Sequence, residues 1–283
     1  MFDRLSRSWE LVKASWTVLQ QDKELLVFPL ISSIAMLAVV ACFALPIIGV
    51  AGFDGLARGL DGHFSTGQYA LGFLFYVVQY FVMFYFNAAL VGAVMIRLDG
   101  GNPTVGDGLA VASSKLWNIL GYALIAATIG MILRALQERV GFIGRIVVAL
   151  VGAGWSLATY LVVPVLVTSD VGPVEAVKES THLLKRTWGE NVIGQAGIGF
   201  AFGLIQMAVI VGGIGFVILA AMGHSIALVI AAVVVTVVAV LFTVLVHSAL
   251  SGIYAAALYR YAANDEGSAG FSPETLQLAF RPK

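Results

Sequence analysis

Charged side chains are scarce in this 283-residue chain, at 11% of the total. Soluble domains carry about a quarter, and a soluble fold this poor in charge has too little polar surface to cover itself. The formal net charge is zero, so there is no basic field of the kind that draws a protein to nucleic acid. Cysteine is almost absent. Cys42 stands alone, which rules out an internal disulfide and any zinc site built on several thiolates. Inside an apolar run it reads as a small core residue. Phosphate-loop and nucleophile-elbow patterns are missing too: no G-x-x-x-x-G-K-[ST] and no G-x-S-x-G occurs. No cofactor is expected. Positive charge near the N-terminus (Arg4, Arg7, Lys13, Lys23) is not followed promptly by an apolar core, so no cleaved secretory signal is expected.

What is abundant is apolar length. Hydrophobic residues make up 60% of the chain and the mean hydropathy is +0.94. A helix needs about 20 apolar residues to cross about 30 Å of hydrocarbon. Six segments meet this: 25–50, 69–98, 118–137, 145–168, 191–222 and 225–259. The fold class expected is all-α, a polytopic membrane protein. It divides into an amphipathic N-terminal segment (1–24), a six-span domain (25–261) and a polar tail (262–283). The second and sixth runs exceed what hydrocarbon needs, and their cytoplasmic ends are expected to protrude.

With the N-terminus inside, the outer segments hold only Arg58, Arg134, Arg139 and Arg145, and the rest of the 16 Lys and Arg fall inside. This bias predicts both termini in the cytoplasm and a cell (inner) membrane location.

Three inner segments carry apolar stripes at steps of three and four: Phe2 to Leu19, Val105 to Leu116, and Val177, Thr181, Leu184. They read as amphipathic helices in the plane of the inner leaflet. Trp9, Trp16, Trp117 and Trp188 are the expected interface anchors. The order amphipathic helix, tryptophan and two spans suggests a threefold internal repeat.

Within the spans, Gly199 and Gly203 form a G-x-x-x-G, and Gly212 and Gly213 crowd one turn. Small residues let helix backbones approach in lipid, so helix packing within the chain is the first reading and homodimerisation the second. Pro29 and Pro164 each remove a backbone donor and are read as kinks, or less readily as openings that line a substrate site. His247 is read as an interhelical hydrogen-bonding residue ahead of a proton acceptor. Arg134 and Glu138, four apart, form an expected interfacial pair. An anion contact is the second reading there. Polar amides such as Gln79 and Gln206 are expected to bridge helices. All 16 carboxylates fall in loops, amphipathic segments or span ends, which argues against a proton relay or intramembrane aspartyl protease. His63, His182, His224 and His247 show no metal-ligand spacing, so neither a metal nor a catalytic site is expected.

The segments RLSRSWELVKASWTVLQQDKELLVFPLIS (4–32) and VVPVLVTSDVGPVEAVKESTHLLKRTWGENVIG (162–194) resemble an uncharacterised family of six-span prokaryotic membrane proteins. That family is in turn similar to the membrane domain of some glycerophosphodiester phosphodiesterases and to Yip1-like proteins. The resemblance implies fold and membrane location. It carries over no catalytic residue, since those phosphodiesterases work through a separate soluble domain. The function expected is a non-enzymatic scaffold, assembly or envelope component that binds membrane lipids and a protein partner or itself. The alternative is a permease or channel for a small apolar or lipid-like solute.

Overall fold

A computed structural model describes residues 15–60, 66–186, 188–223 and 225–264, and among them there are helices and no strands. A helical stretch over 15–21 and a 3-10 turn (Lys23–Leu26) lead into α1 (Val27–Leu60). There follow α2 (Thr66–Leu98), α3 (Val105–Ser114), α4 (Leu116–Arg139), α5 (Phe142–Ala158), α6 (Val162–Thr168), α7 (Pro173–Arg186), α8 (Trp188–Met222) and α9 (Ile226–Asn264). Six stretches are long and apolar enough to span a membrane, the fourth being α5 and α6 together. The chain is an all-α, multi-pass membrane protein.

Short polar signals place the breaks. After α2 the chain turns through Gly100, which takes φ +85, a conformation that side chains with a Cβ resist. Thr104 then caps α3. Its hydroxyl accepts from the Asp107 amide at 3.2 Å, while the Thr104 amide donates to the Asp107 carboxylate at 2.9 Å. This reciprocal box satisfies donors that a helix start leaves open. The Thr104 amide and hydroxyl both donate to the Asp107 carboxylate and hold it below its usual range.

The bundle is dense at one end and splayed at the other. At the packed end the core gathers Leu25, Phe28, the 88–98 part of α2, Val162–Val167 of α6, and Ala249–Leu258 of α9. Toward the splayed end burial falls away, although α8 and α9 stay paired. The most apolar window of α8 has 0% of its residues buried in the chain, against 50% for α2. α2 is the hub, packed on α1, α3, α4, α6 and α9. α5 packs on α4 and α7, and its contact with α8 or α9 is at most grazing. α9 holds 39 residues, about 58 Å of helix, so it is too long for hydrocarbon alone. Its change from exposed to buried falls near Val246, about 30 Å from Ile226. The excess length is in the packed end, which shelters it with protein instead of lipid.

The amphipathic segments also turn their apolar sides to protein. Ser15, Val18 and Leu19 are buried, as are Gly108 and Ala112 of α3, and Ala176, Ser180, Leu183 and Leu184 of α7. A Cβ at Gly108 would lie 2.5 Å from the Ala89 carbonyl oxygen and 2.6 Å from the Phe28 ring, so only glycine lets α3 settle on α2 this closely. The stripe read on α7 (Val177, Thr181, Leu184) is rotated by about one residue from the buried one. The helix 15–21, α3 and α7 each precede two spans, so the element order recurs three times among the described residues. α3 packs on α2 and α7 on α6, so each covers the last element of the preceding unit.

Candidate functional site

The most unusual backbone lies in the fourth span. Pro164 has no N–H, and inside a continuous helix its ring would collide with the turn before it. The chain responds with a break instead of a bend. α5 ends at Ala158, three residues turn, and α6 restarts at Val162, with Pro164 in its first turn. The kink expected at Pro164 is therefore a discontinuity centred at Thr159–Leu161. Pro29 likewise lies in the first turn of α1, just after the 3-10 turn, where a missing donor costs nothing. It is not a mid-span kink. The proline inside α1 is Pro46.

Ser180 of α7 sits beneath the break. Its buried hydroxyl donates to the Ala158 carbonyl at 2.7 Å and accepts from the Leu161 amide at 3.1 Å. Thr181 reaches the same carbonyl at 3.5 Å. Tyrosines surround the turn. The Tyr160 hydroxyl donates to the Ser251 carbonyl at 3.4 Å, and buried Tyr122 approaches Thr159. Tyr254, 1% exposed, has a hydroxyl without a partner among the described residues. Sequence reasoning passed over Ser180 and Tyr254. The available signal was a serine on the apolar side of α7, where a hydroxyl is out of place unless it has backbone groups to satisfy.

Ion pairs tie the packed end together. Arg97, at the end of α2, forms a two-pronged pair with Asp22 through Nε and Nη2, and its Nη1 donates to the Gly101 carbonyl at 3.3 Å. Lys115, between α3 and α4, pairs with Asp170, between α6 and α7. This ammonium holds the Asp170 carboxyl below its usual range. Arg260, near the end of α9, pairs with Asp99 at 2.5 Å. The first two pairs are equivalent with signs exchanged. In each unit, the residue that leads into the first span pairs with a residue at the end of the second.

The other sequence-selected residues are scattered. Arg134 and Glu138 pair at 3.2 Å, both largely exposed, and Arg134 also donates to the Tyr76 hydroxyl. The His247 ring lies tilted on Phe202 with centroids 5.1 Å apart, an aromatic contact between α8 and α9 where a hydrogen bond was expected. A hydrogen bond joining those helices runs from Thr243 to Gln206 at 2.7 Å. Gln79 bridges to the Met36 carbonyl at 3.3 Å. Gly213 abuts Thr236 of α9, whereas Gly199, Gly203 and Gly212 have open space where a Cβ would go, so of these four Gly213 alone packs closely within the chain. Trp117 is 77% exposed and Trp16 41%. Trp9, His224 and the tail beyond 264 lie outside the described residues, as does the Trp188 side chain. Cys42 is exposed on α1, on a lipid-facing surface and not in a core, because an apolar run in a membrane has two apolar surroundings to choose from. Among the described residues no three His, Cys, Asp or Glu side chains gather as metal ligands.

Compared with known proteins, the chain matches no curated protein. Residues 66–271 match the model of a family of unknown function, DUF6159. That match takes in five of the six spans, the break and α7, and the chain belongs to this family.

Proposed function

We propose that this protein is a non-enzymatic component of the cell (inner) membrane, with both termini cytoplasmic, that binds lipid and associates with a second copy of itself through α8. The observation that carries this reading is the state of α8. Its most apolar window is unburied, and Gly199, Gly203 and Gly212 on it face open space. Glycine inside a helix costs about 0.5–1 kcal/mol relative to alanine. Lipid chains gain nothing from that cost, but a helix backbone that must approach closely does. The distant likeness to the phosphodiesterase membrane domain and to Yip1-like proteins belongs to this proposal and supports membrane location alone.

The permease reading has one observation on its side, the discontinuous span, since broken helices line substrate sites in transporters. Here Ser180 occupies the groups that the break frees, which favours a structural joint. Native mass spectrometry of protein extracted gently from its own membrane separates the two. A dimer, a larger homo-oligomer or a stoichiometric protein partner is expected. A monomer retaining one defined small molecule would overturn the scaffold reading in favour of the permease.

A further inference from the structure

We infer that the Lys178–Lys185 side of α7, beneath the end of α5, binds the phosphate of an anionic phospholipid whose chains lie along α5. This deepens the lipid-binding part of the proposed function and rests on it.

The charges on α7 are sorted by position. At about 100° per residue, Lys178 and Lys185 are within about 20° of each other around the helix and about 10 Å apart along it. Glu175 and Glu179 lie about a quarter-turn away, with Arg186 between them around the helix. Both lysines are exposed, and among the described residues neither has an ion-pair partner. Thr181 lies between them in sequence and leans toward α5, touching the Ala158 carbonyl. Thr181 is within about 60° of both lysines around the helix, so of the two charged sides theirs is the nearer to the last turn of α5, with buried Ser180 farther round.

α5 itself supplies the rest of the site. It is a peripheral helix, packed on α4 and α7 alone beyond grazing contacts, and Ile146, Val147, Leu150 and Val151 are about half or more exposed. In a bilayer these side chains meet acyl chains. A lipid lying along them has its headgroup at the end of α5, where that helix stops over the middle of α7. Val174, 50% exposed one turn before Lys178, extends the apolar surface to the lysines. Two ammonium groups on flexible stems beside such a surface suit a phosphodiester, and juxtamembrane lysines are drawn to an anionic leaflet. The competing structural role is that the lysines simply offset the negative end of the α5 dipole.

The test uses the full-length protein in nanodiscs of equal phosphatidylglycerol and phosphatidylcholine, followed by native mass spectrometry of retained lipid. The wild type is expected to keep phosphatidylglycerol at least about threefold over phosphatidylcholine, about 0.7 kcal/mol at room temperature. The double variant Lys178→Gln/Lys185→Gln is expected to lose that preference with its thermal midpoint unchanged. Glu175→Gln/Glu179→Gln should keep it. An undiminished preference in the lysine variant, no preference in the wild type, or a lowered midpoint without a change in lipid would each overturn the assignment. Displacement by excess inorganic phosphate would also overturn it, because it would point to a soluble anion. The oligomer mass in the same spectra reports separately on the α8 proposal.

Discussion

The Ser180 hydroxyl spans the gap in the fourth span, bonded to Ala158 on one side and Leu161 on the other. One side chain thereby satisfies two backbone groups that the break leaves open in a buried setting. Ser180→Ala would strand the Leu161 amide and leave the Ala158 carbonyl only the longer Thr181 contact, and an unsatisfied buried group costs about 1–3 kcal/mol. The variant is expected to lose about 1–3 kcal/mol, with Ser180→Cys intermediate. Chemical unfolding in mild detergent measures this. A loss below about 0.5 kcal/mol would show that the break is held by α6 packing and not by the hydroxyl.

Asp22 and Arg97 make a different kind of contact. Their side chains are 8% and 22% exposed, and the two-pronged geometry fixes the 3-10 turn against the end of α2. Removing one partner leaves the other charge buried, at a cost of about 3 kcal/mol. Asp22→Asn and Arg97→Met should each destabilise by that order. Asp22→Leu/Arg97→Met together should recover most of the loss, since a buried pair is often replaceable by apolar residues. A double-mutant cycle with no coupling would remove this pair from the account of the packed end.

Much of this was legible before the structure. Periodicity and length mark six spans, and the steps of three and four mark segments beside them. What the pattern could not separate was lipid from protein. Val18, Ala112 and Leu183 are apolar for the same reason whether they face an acyl chain or a packed helix, so the segments read as interfacial when their stripes are buried on the bundle. Proline posed a similar ambiguity. Pro29 and Pro164 look alike in sequence, yet the first starts a helix and the second restarts one. That difference depends on Ser180, which is 16 residues beyond Pro164 and speaks through space. The unburied face of α8 was not legible at all, since glycine spacing is the same for helices that pack within a chain and those that await a partner.

The Lys115–Asp170 pair should make stability sensitive to acid. The folded carboxyl titrates below an unfolded aspartate, which titrates at about 3.9. The contribution is then fully present above that unfolded value and is lost as pH falls through the lower folded one. Asp170 is 99% exposed, so the effect is small and should weaken with salt. Thermal midpoints of the wild type and Asp170→Asn between pH 6 and 3 should differ by a constant amount at the upper end and converge at the lower. A difference that grows on acidification would have the wrong sign.

The glycines of α8 allow a paired comparison. A Cβ at Gly213 would overlap Thr236, so Gly213→Leu must push α8 from α9, at about 1–3 kcal/mol of overpacking. Gly203 faces open space. Gly203→Ala should therefore stabilise the isolated chain by about 0.5–1 kcal/mol through helix propensity. If α8 is the contact between copies, Gly203→Leu should also shift the native mass spectrum toward monomer while leaving the fold intact. An unchanged oligomer with Gly199→Leu/Gly203→Leu would locate the contact elsewhere.

Tyr254 yields the prediction most opposed to ordinary expectation. A buried, 1% exposed tyrosine usually contributes through both its ring and its hydroxyl. Here the ring packs in the core while the hydroxyl has no partner among the described residues. Removing an unpaired polar atom leaves no partner stranded and spares its desolvation. Tyr254→Phe should accordingly be neutral or stabilising, by up to about 1 kcal/mol, and Tyr254→Ala should cost about 3–5 kcal/mol through the cavity it leaves. Neighbouring Tyr160 supplies the control: its hydroxyl bonds the Ser251 carbonyl, so Tyr160→Phe should destabilise by about 0.5–1.5 kcal/mol. If Tyr254→Phe proves the more damaging of the two, the Tyr254 hydroxyl has a partner in the membrane-embedded protein.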